Sequence, residues 1–193
     1  MRRRSLVLLL PLLTACGLSE RPYVERRQWP LRLRRPQALP PRRGGPVLEV
    51  RTLRAGPSLE VRGLQELQPD GSVRVDFYEE WAVPPAQGVE DALRLWLADC
   101  GRFAAVVAPG SRMPSDLVLE GELTALWSEP AAGHAHAALG VVVVDQRAVV
   151  PRILVQRTEA ADAPLADATA PAEVAAQIAA LAAVFSAIEA ALG

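Results

Sequence analysis

Leu117-Val118-Leu119-Glu120-Gly121-Glu122-Leu123-Thr124-Ala125-Leu126-Trp127 is the stretch on which the fold turns. Leu119, Gly121, Leu123, Ala125 and Trp127 recur at every second position and share one face, while Glu120, Glu122 and Thr124 share the other. A period of two predicts a half-buried strand, because successive side chains of extended backbone point to opposite faces. Downstream, Val141-Val142-Val143-Val144 is apolar without alternation, as expected of a central strand covered on each side. Residues 145–148 then turn the chain toward a further extended segment at 153–157.

Upstream of that stretch, residues 47–53 alternate as a strand. Residues 64–67 and 73–78 flank Pro69-Asp70-Gly71, a strong turn signal, which predicts a hairpin. Between 88 and 99 the apolar residues Val89, Leu93, Trp96 and Cys100 step by four, three and four, the period of a helix. Glu90 and Arg94 stand as an i,i+4 pair on it, and Gly101 supplies its stop. Residues 103–107 read as a short strand leading into the Pro109-Gly110-Ser111 loop. A second helix spans 171–192, where Val174, Ile178, Leu181, Phe185, Ile188 and Leu192 form the apolar stripe. The rest of it is mostly alanine, with only Glu173 and Glu189 charged. Either a neighbour covers the uncharged face, as in a homo-oligomer or partner complex, or alanine serves there simply as a good helix former. The reading is an α/β fold, a mixed β-sheet with helices packed on it, as a single body over 47–193.

The chain has 193 residues, half of them hydrophobic, which excludes a wholly disordered protein. No run reaches the roughly 18 apolar residues of a membrane-spanning helix. All 21 basic residues are arginine. Without lysine there is no P-loop phosphate lysine and no Schiff-base lysine. The formal charge of -1 conceals an asymmetry: residues 21–54 hold ten arginines and two acids, whereas from 55 onward eight arginines face nineteen acids. A basic front on an acidic body points to an anionic neighbour at the front.

Arg2-Arg3-Arg4 followed by an apolar run from Leu6 to Leu13 fits a secretory signal over 1–15. It ends Leu13-Thr14-Ala15-Cys16-Gly17, which resembles a bacterial lipobox, with small residues beside the scissile bond and a cysteine to carry the lipid. The alternative is an unlipidated signal with a chance cysteine near its cut. On the lipobox reading the Cys16 thiol carries a diacylglycerol and its freed amine an acyl chain such as palmitate. At about 0.8 kcal/mol per buried CH₂, three chains anchor stably where one does not. Gly17, in place of aspartate, favours delivery to the outer membrane. Residues 16–46, rich in proline and arginine, read as a lipidated tether, with the alternation over 29–34 suggesting a docked edge strand. Such a tether either hugs an anionic lipid surface or is a solvated linker.

The search for catalytic chemistry returns few candidates. There is no Gly-x-Ser-x-Gly elbow, no His-Glu-x-x-His and no Cys-x-x-Cys. With Cys16 acylated, Cys100 has no disulfide partner and reads as a small buried hydrophobe. His134 and His136 could ligate a metal from one strand face with Glu120 or Glu122 as third ligand; the expectation is a Gly-rich surface turn instead, with no metal and no cofactor. Glu79-Glu80 and Glu120/Glu122 are arguable acid/base pairs, although carboxylates on a polar strand face are normally just solvated. Trp81 and Trp96 read as core. An acidic body delivered out of the cytoplasm disfavours nucleic acid as a partner.

From 73 to 127 a further pattern emerges. Phe77-Tyr78-Glu79-Glu80-Trp81-Ala82-Val83-Pro84-Pro85 precedes a helix ending in Cys100-Gly101-Arg102-Phe103, and Asp116-Leu117-Val118-Leu119-Glu120-Gly121 follows. This resembles the ABC-type transport auxiliary lipoprotein family, the PqiC-like group. Tyr78, Trp81, Pro84, Pro85, Gly101, Phe103, Asp116 and Gly121 carry the motif; Glu80 departs from it, standing where arginine is usual. The resemblance implies a fold similar to the amino-terminal domain of TolB, which is anticodon-binding-domain-like. It also implies a non-enzymatic outer-membrane lipoprotein on the periplasmic face, auxiliary to an MCE-type ABC system that moves lipids or other hydrophobic molecules, with an MCE-domain protein as partner. Trp127, the arginine tether and the last helix are candidate contact surfaces. Two other readings stand: a structural subunit of an outer-membrane assembly or lipopolysaccharide-export complex of the LptE kind, and a periplasmic enzyme using the two histidines.

Overall fold

Pro69-Asp70-Gly71 closes its hairpin as its composition requires. Gly71 adopts φ +83°, open to glycine at no steric cost, and Asp70 Oδ1 accepts hydrogen bonds from the Ser72 amide (2.9 Å) and hydroxyl (2.6 Å). The computed structural model describes residues 23–193; the charged n-region, the apolar run and the Leu13-Thr14-Ala15-Cys16 lipobox lie outside the described residues. Among the latter the order is β1 (Arg27–Trp29), β2 (Val47–Val50), β3 (Arg54–Ala55), β4 (Gly63–Leu67), β5 (Val73–Trp81), α1 (Pro85–Ala98), β6 (Ala105–Val107), β7 (Leu117–Glu129), β8 (His134–Asp145), β9 (Arg152–Pro164) and α2 (Ala170–Ala191).

The sheet is organised by β7. Along one edge it pairs antiparallel with β8, which pairs antiparallel with β9. Its other edge is shared in sequence by β2, β3 and β4, all parallel to it. From there the sheet forks: β2 leads to β6, and β4 leads through antiparallel β5 to parallel β1. The strand expected over 47–53 stops at Val50, and β7, which outlasts it, is met afresh by the separate strand β3 at 54–55.

Both helices pack on one face of this sheet and touch each other. Their apolar stripes meet Leu48, Val50, Leu119, Leu123, Leu139 and Val143 in a common core, with Trp81 and Trp96 buried as expected. Alternate β8 residues Ala135, Ala137, Leu139, Val141 and Val143 are buried, whereas Val142 and Val144 are half-buried. The expectation of a strand covered on each side is corrected: β8 is central by pairing, but helices cover only one of its faces. α2 is long and apolar enough to cross a membrane, yet it is the helix laid over β7, β8 and β9. Ala175, Ala179 and Ala183 point outward from it, exposed.

Two local readings fail for identifiable reasons. The register of β7 against β8 shifts between Leu123 and Ala125, a β-bulge at Thr124. One extra residue inverts the alternation, so Leu126 and Ser128 turn inward while Trp127 moves to the uncovered face. On α1, Arg94 pairs with Asp91 rather than Glu90. Glu90 instead accepts the Leu53 amide at 3.0 Å, tying the helix to the chain between β2 and β3.

Residues 27–46 lie along the body as a strap. β1 pairs with β5, Leu31 meets the backbone of Gly88, and Leu33 enters the core. Leu39 then bridges to Cys100, and the Arg42 amide donates to the Phe103 carbonyl at 2.9 Å.

Candidate functional site

Because both helices share one face, no helix covers the opposite face of the sheet among the described residues. A groove of about 860 Å³ crosses it, walled by Arg51 and Arg54 on one side, Glu120 and Glu122 on the floor, and Gln156 and Thr158 on the other side. Arg51 pairs with Glu120, and Arg54 with Glu122 at 2.9 Å. Each carboxylate is thus balanced by its own guanidinium in contact with solvent. That arrangement engages both carboxylates with guanidinium partners rather than with each other. It does present alternating charge suited to docking.

Glu79 and Glu80 hold strands together. Glu79 accepts Arg27 and the Trp29 indole N–H (2.7 Å), and Glu80 accepts Gln28 Nε2 (2.9 Å) and Arg62 (2.8 Å). The departure at Glu80 thus has its compensation in Arg62.

His134 and His136 are not in the surface turn expected of them; residues 130–133 make the turn and both histidines lie on β8. His136 Nδ1 lies 2.6 Å from Asp162 Oδ1 and its ring 5.4 Å from that of Trp127. His134 Nε2 is 3.7 Å from Glu129. Trp127, a candidate contact residue, is half-buried and donates its N–H to Glu129 at 3.0 Å. Glu120 and Glu122 are engaged elsewhere, and among the described residues no three His, Cys, Asp or Glu side chains are grouped to hold a metal. Cys100 is buried, which pushes its thiol pKa up and makes it a poor nucleophile.

The motif residues do structural work. Trp81 is core; Pro84 caps α1 and Pro85 opens it at the position where a missing N–H costs nothing. Gly101 takes φ +72° with its α-carbon against Leu39, and Phe103 is buried below it. Asp116 Oδ2 accepts the Val47 amide at 2.7 Å, fixing the start of β2 beside β7. Tyr78 and Pro84 are the exposed members of the set.

The sequence reading missed the residue that ties strap and helices together. Glu189, on α2, accepts Arg35 (3.1 and 3.3 Å) and the Trp96 indole N–H (2.8 Å), and this hydrogen bond holds the Arg35 pKa above its usual value. A lone carboxylate at the end of an alanine helix was the available signal. At the other end of α2, Glu173 is buried in a cleft of about 280 Å³ beside Arg74, Asp76 and Glu79. Burial raises its pKa; Arg74 opposes the shift, while Asp76 and Glu79 add to it. The folded state therefore keeps this proton to higher pH than the unfolded chain, and the stability it contributes is lost as pH rises through the folded pKa. Glu173→Gln is expected to leave the Tm unchanged near pH 4 and to raise it at pH 7, measured by thermal unfolding at both.

No curated protein sequence matches the chain significantly. Among solved structures it is similar to an uncharacterized protein (14% identity, 88% of this chain and 99% of that one covered, TM-score 0.71). It is also similar to XCC0632 from Xanthomonas campestris, of the family DUF330 (21% identity, 81% and 88% covered, TM-score 0.65). A hypothetical protein of Chlamydia trachomatis, CT253, follows (11% identity, 75% and 96% covered, TM-score 0.52). These likenesses establish the mixed sheet with helices packed on it; the likeness to TolB finds no support among them. The family described as ABC-type transport auxiliary lipoprotein component matches residues 31–189, from the strap to the last turns of α2, and the chain belongs to that family.

Proposed function

We propose that the chain is a lipoprotein of the outer membrane, held by acyl groups on Cys16 and facing the periplasm. There it serves an MCE-type ABC transport system that moves lipids or other hydrophobic molecules. The observation that carries this reading is a lipobox cysteine fifteen residues ahead of a domain of the transport auxiliary family. With β1 docked at Arg27, the leash from Cys16 measures eleven residues, at most about 36 Å of contour. The body is thereby kept near the membrane surface, with its charge-alternating open sheet face available to an MCE-domain partner. No catalytic step is assigned to it.

Metabolic labelling with a palmitate analogue tests the anchor. The wild-type chain is expected to take up label and fractionate with outer membranes. Cys16→Ser is expected to lose all label and leave the membrane fraction. Pull-down from solubilised membranes should then recover an MCE-domain protein. Recovery of a β-barrel protein in its place would replace this reading with the LptE-like one.

A further inference from the structure

Between the pairs Gly63↔Glu80 and Gln65↔Val75, β5 carries three more residues than β4 opposite it. The excess forms a bulge held by Asp76, whose Oδ1 accepts the amides of Tyr78 (2.7 Å) and Glu79 (2.9 Å). Its effect is to turn two consecutive rings outward. Phe77 is 64% exposed and Tyr78 43%, and they meet edge to face at 5.2 Å. The Arg26 guanidinium lies 3.9 Å above the Phe77 ring. Tyr23 and Val24 are exposed where the described chain begins, as are Val73 and Val75 further along β5. An aromatic patch kept in water by a dedicated backbone device marks an interaction surface.

We propose that the Phe77–Tyr78 bulge, with Tyr23 and Arg26, sits in the headgroup layer of the bilayer to which Cys16 is anchored. This rests on the anchor proposed above. The chain outside the described residues says what covers the patch. Tyr23 is seven residues from Cys16, at most about 23 Å, and Arg26 is already stacked on Phe77. Through Arg26 the patch is tied directly to the segment of chain that leads to the anchor. Its chemistry fits that layer: a tyrosine buries its ring and leaves its hydroxyl wet, and an arginine reaches phosphate. The bulge carboxylates are already engaged, Glu79 by Arg27 and Trp29, and Asp76 by two amides with Arg74 at 3.8 Å.

The test uses the full lipidated chain in vesicles of phosphatidylethanolamine and phosphatidylglycerol, labelled with an environment-sensitive dye at Phe77→Cys. Tyr78→Cys serves as a second position in case the first misfolds, and Ala175→Cys on the outer face of α2 as a control. Cys16 is blocked by its thioether and Cys100 is buried, so the introduced thiol takes the dye. Quenching by shallow-depth brominated lipid is expected to be several-fold stronger at 77 or 78 than at 175. Vesicle flotation reports the anchor separately. A chain that floats with both bulge labels unquenched overturns the lipid assignment alone, as does quenching that matches position 175. A chain that does not float removes the anchor and this proposal with it. Burial of the labels only on addition of a transport partner overturns it in favour of a protein interface.

Discussion

Trp96→Ala is expected to lower the Tm by about 6–20 °C. Trp96 is buried on α1, its ring edge-to-face with Phe185 of α2 at 5.8 Å, and its indole N–H donates to Glu189 at 2.8 Å. Truncating a buried tryptophan to alanine costs about 3–5 kcal/mol in transfer and cavity terms. In a domain of this size each kcal/mol moves the Tm by roughly 2–4 °C. A second effect distinguishes this site from an ordinary core position. Glu189 also holds Arg35, so loss of the indole loosens the carboxylate that fastens the strap. Tryptic cleavage at the strap arginines should accelerate along with the loss of stability. Trp96→Phe keeps the stacking and forfeits the hydrogen bond to a charged acceptor, worth about 1.5–3 kcal/mol, and is expected to fall between. Equal Tm values for Trp96→Ala and wild type would mean that α1 and α2 are not joined as described.

Gly121→Ala is expected to cost about 3 kcal/mol, while Gly140→Ala, on the neighbouring strand, is expected to be neutral or stabilising by about 0.4–1 kcal/mol. A β-carbon on Gly121 would lie 2.6 Å from the Gly140 carbonyl oxygen and 3.0 Å from Leu53 Cδ2. The oxygen is backbone in the middle of the β7–β8 ladder, so it retreats only by opening the pairing that organises the sheet. A β-carbon on Gly140 would meet Thr158 Oγ1 at 3.4 Å, a side-chain atom free to rotate. The two substitutions remove the same backbone freedom from the unfolded chain and differ only in what they strike. Denaturant midpoints of the pair read that difference directly; equal midpoints would remove close strand approach as the reason for Gly121.

Local pattern revealed what depends on local physics. The turn at Asp70-Gly71, the helical steps of α1 and α2, the stop at Gly101 and the burial of Trp81 and Trp96 all follow from residues a few positions apart. The family was legible for the same reason: its motif is made of caps, turns and core anchors. The open-face groove was half legible. Glu120 and Glu122 were placed on a polar face, but Arg51 and Arg54, which neutralise them, come from another segment. The bulge at Thr124 left no mark in the composition, so Trp127 was assigned to the wrong face.

By itself the sequence determined where both helices and the middles of most strands lie, and that the body is an α/β sheet with helices packed on it. Only the tertiary structure decided that both helices share one face, that residues 27–46 strap α1, that Glu189 joins three segments, and that Phe77 and Tyr78 are pushed into solvent. The reason is physical. Periodicity records that a face must be buried, whereas the identity of what buries it is settled by contacts between residues tens of positions apart, and one extra residue in a strand reverses every side chain beyond it.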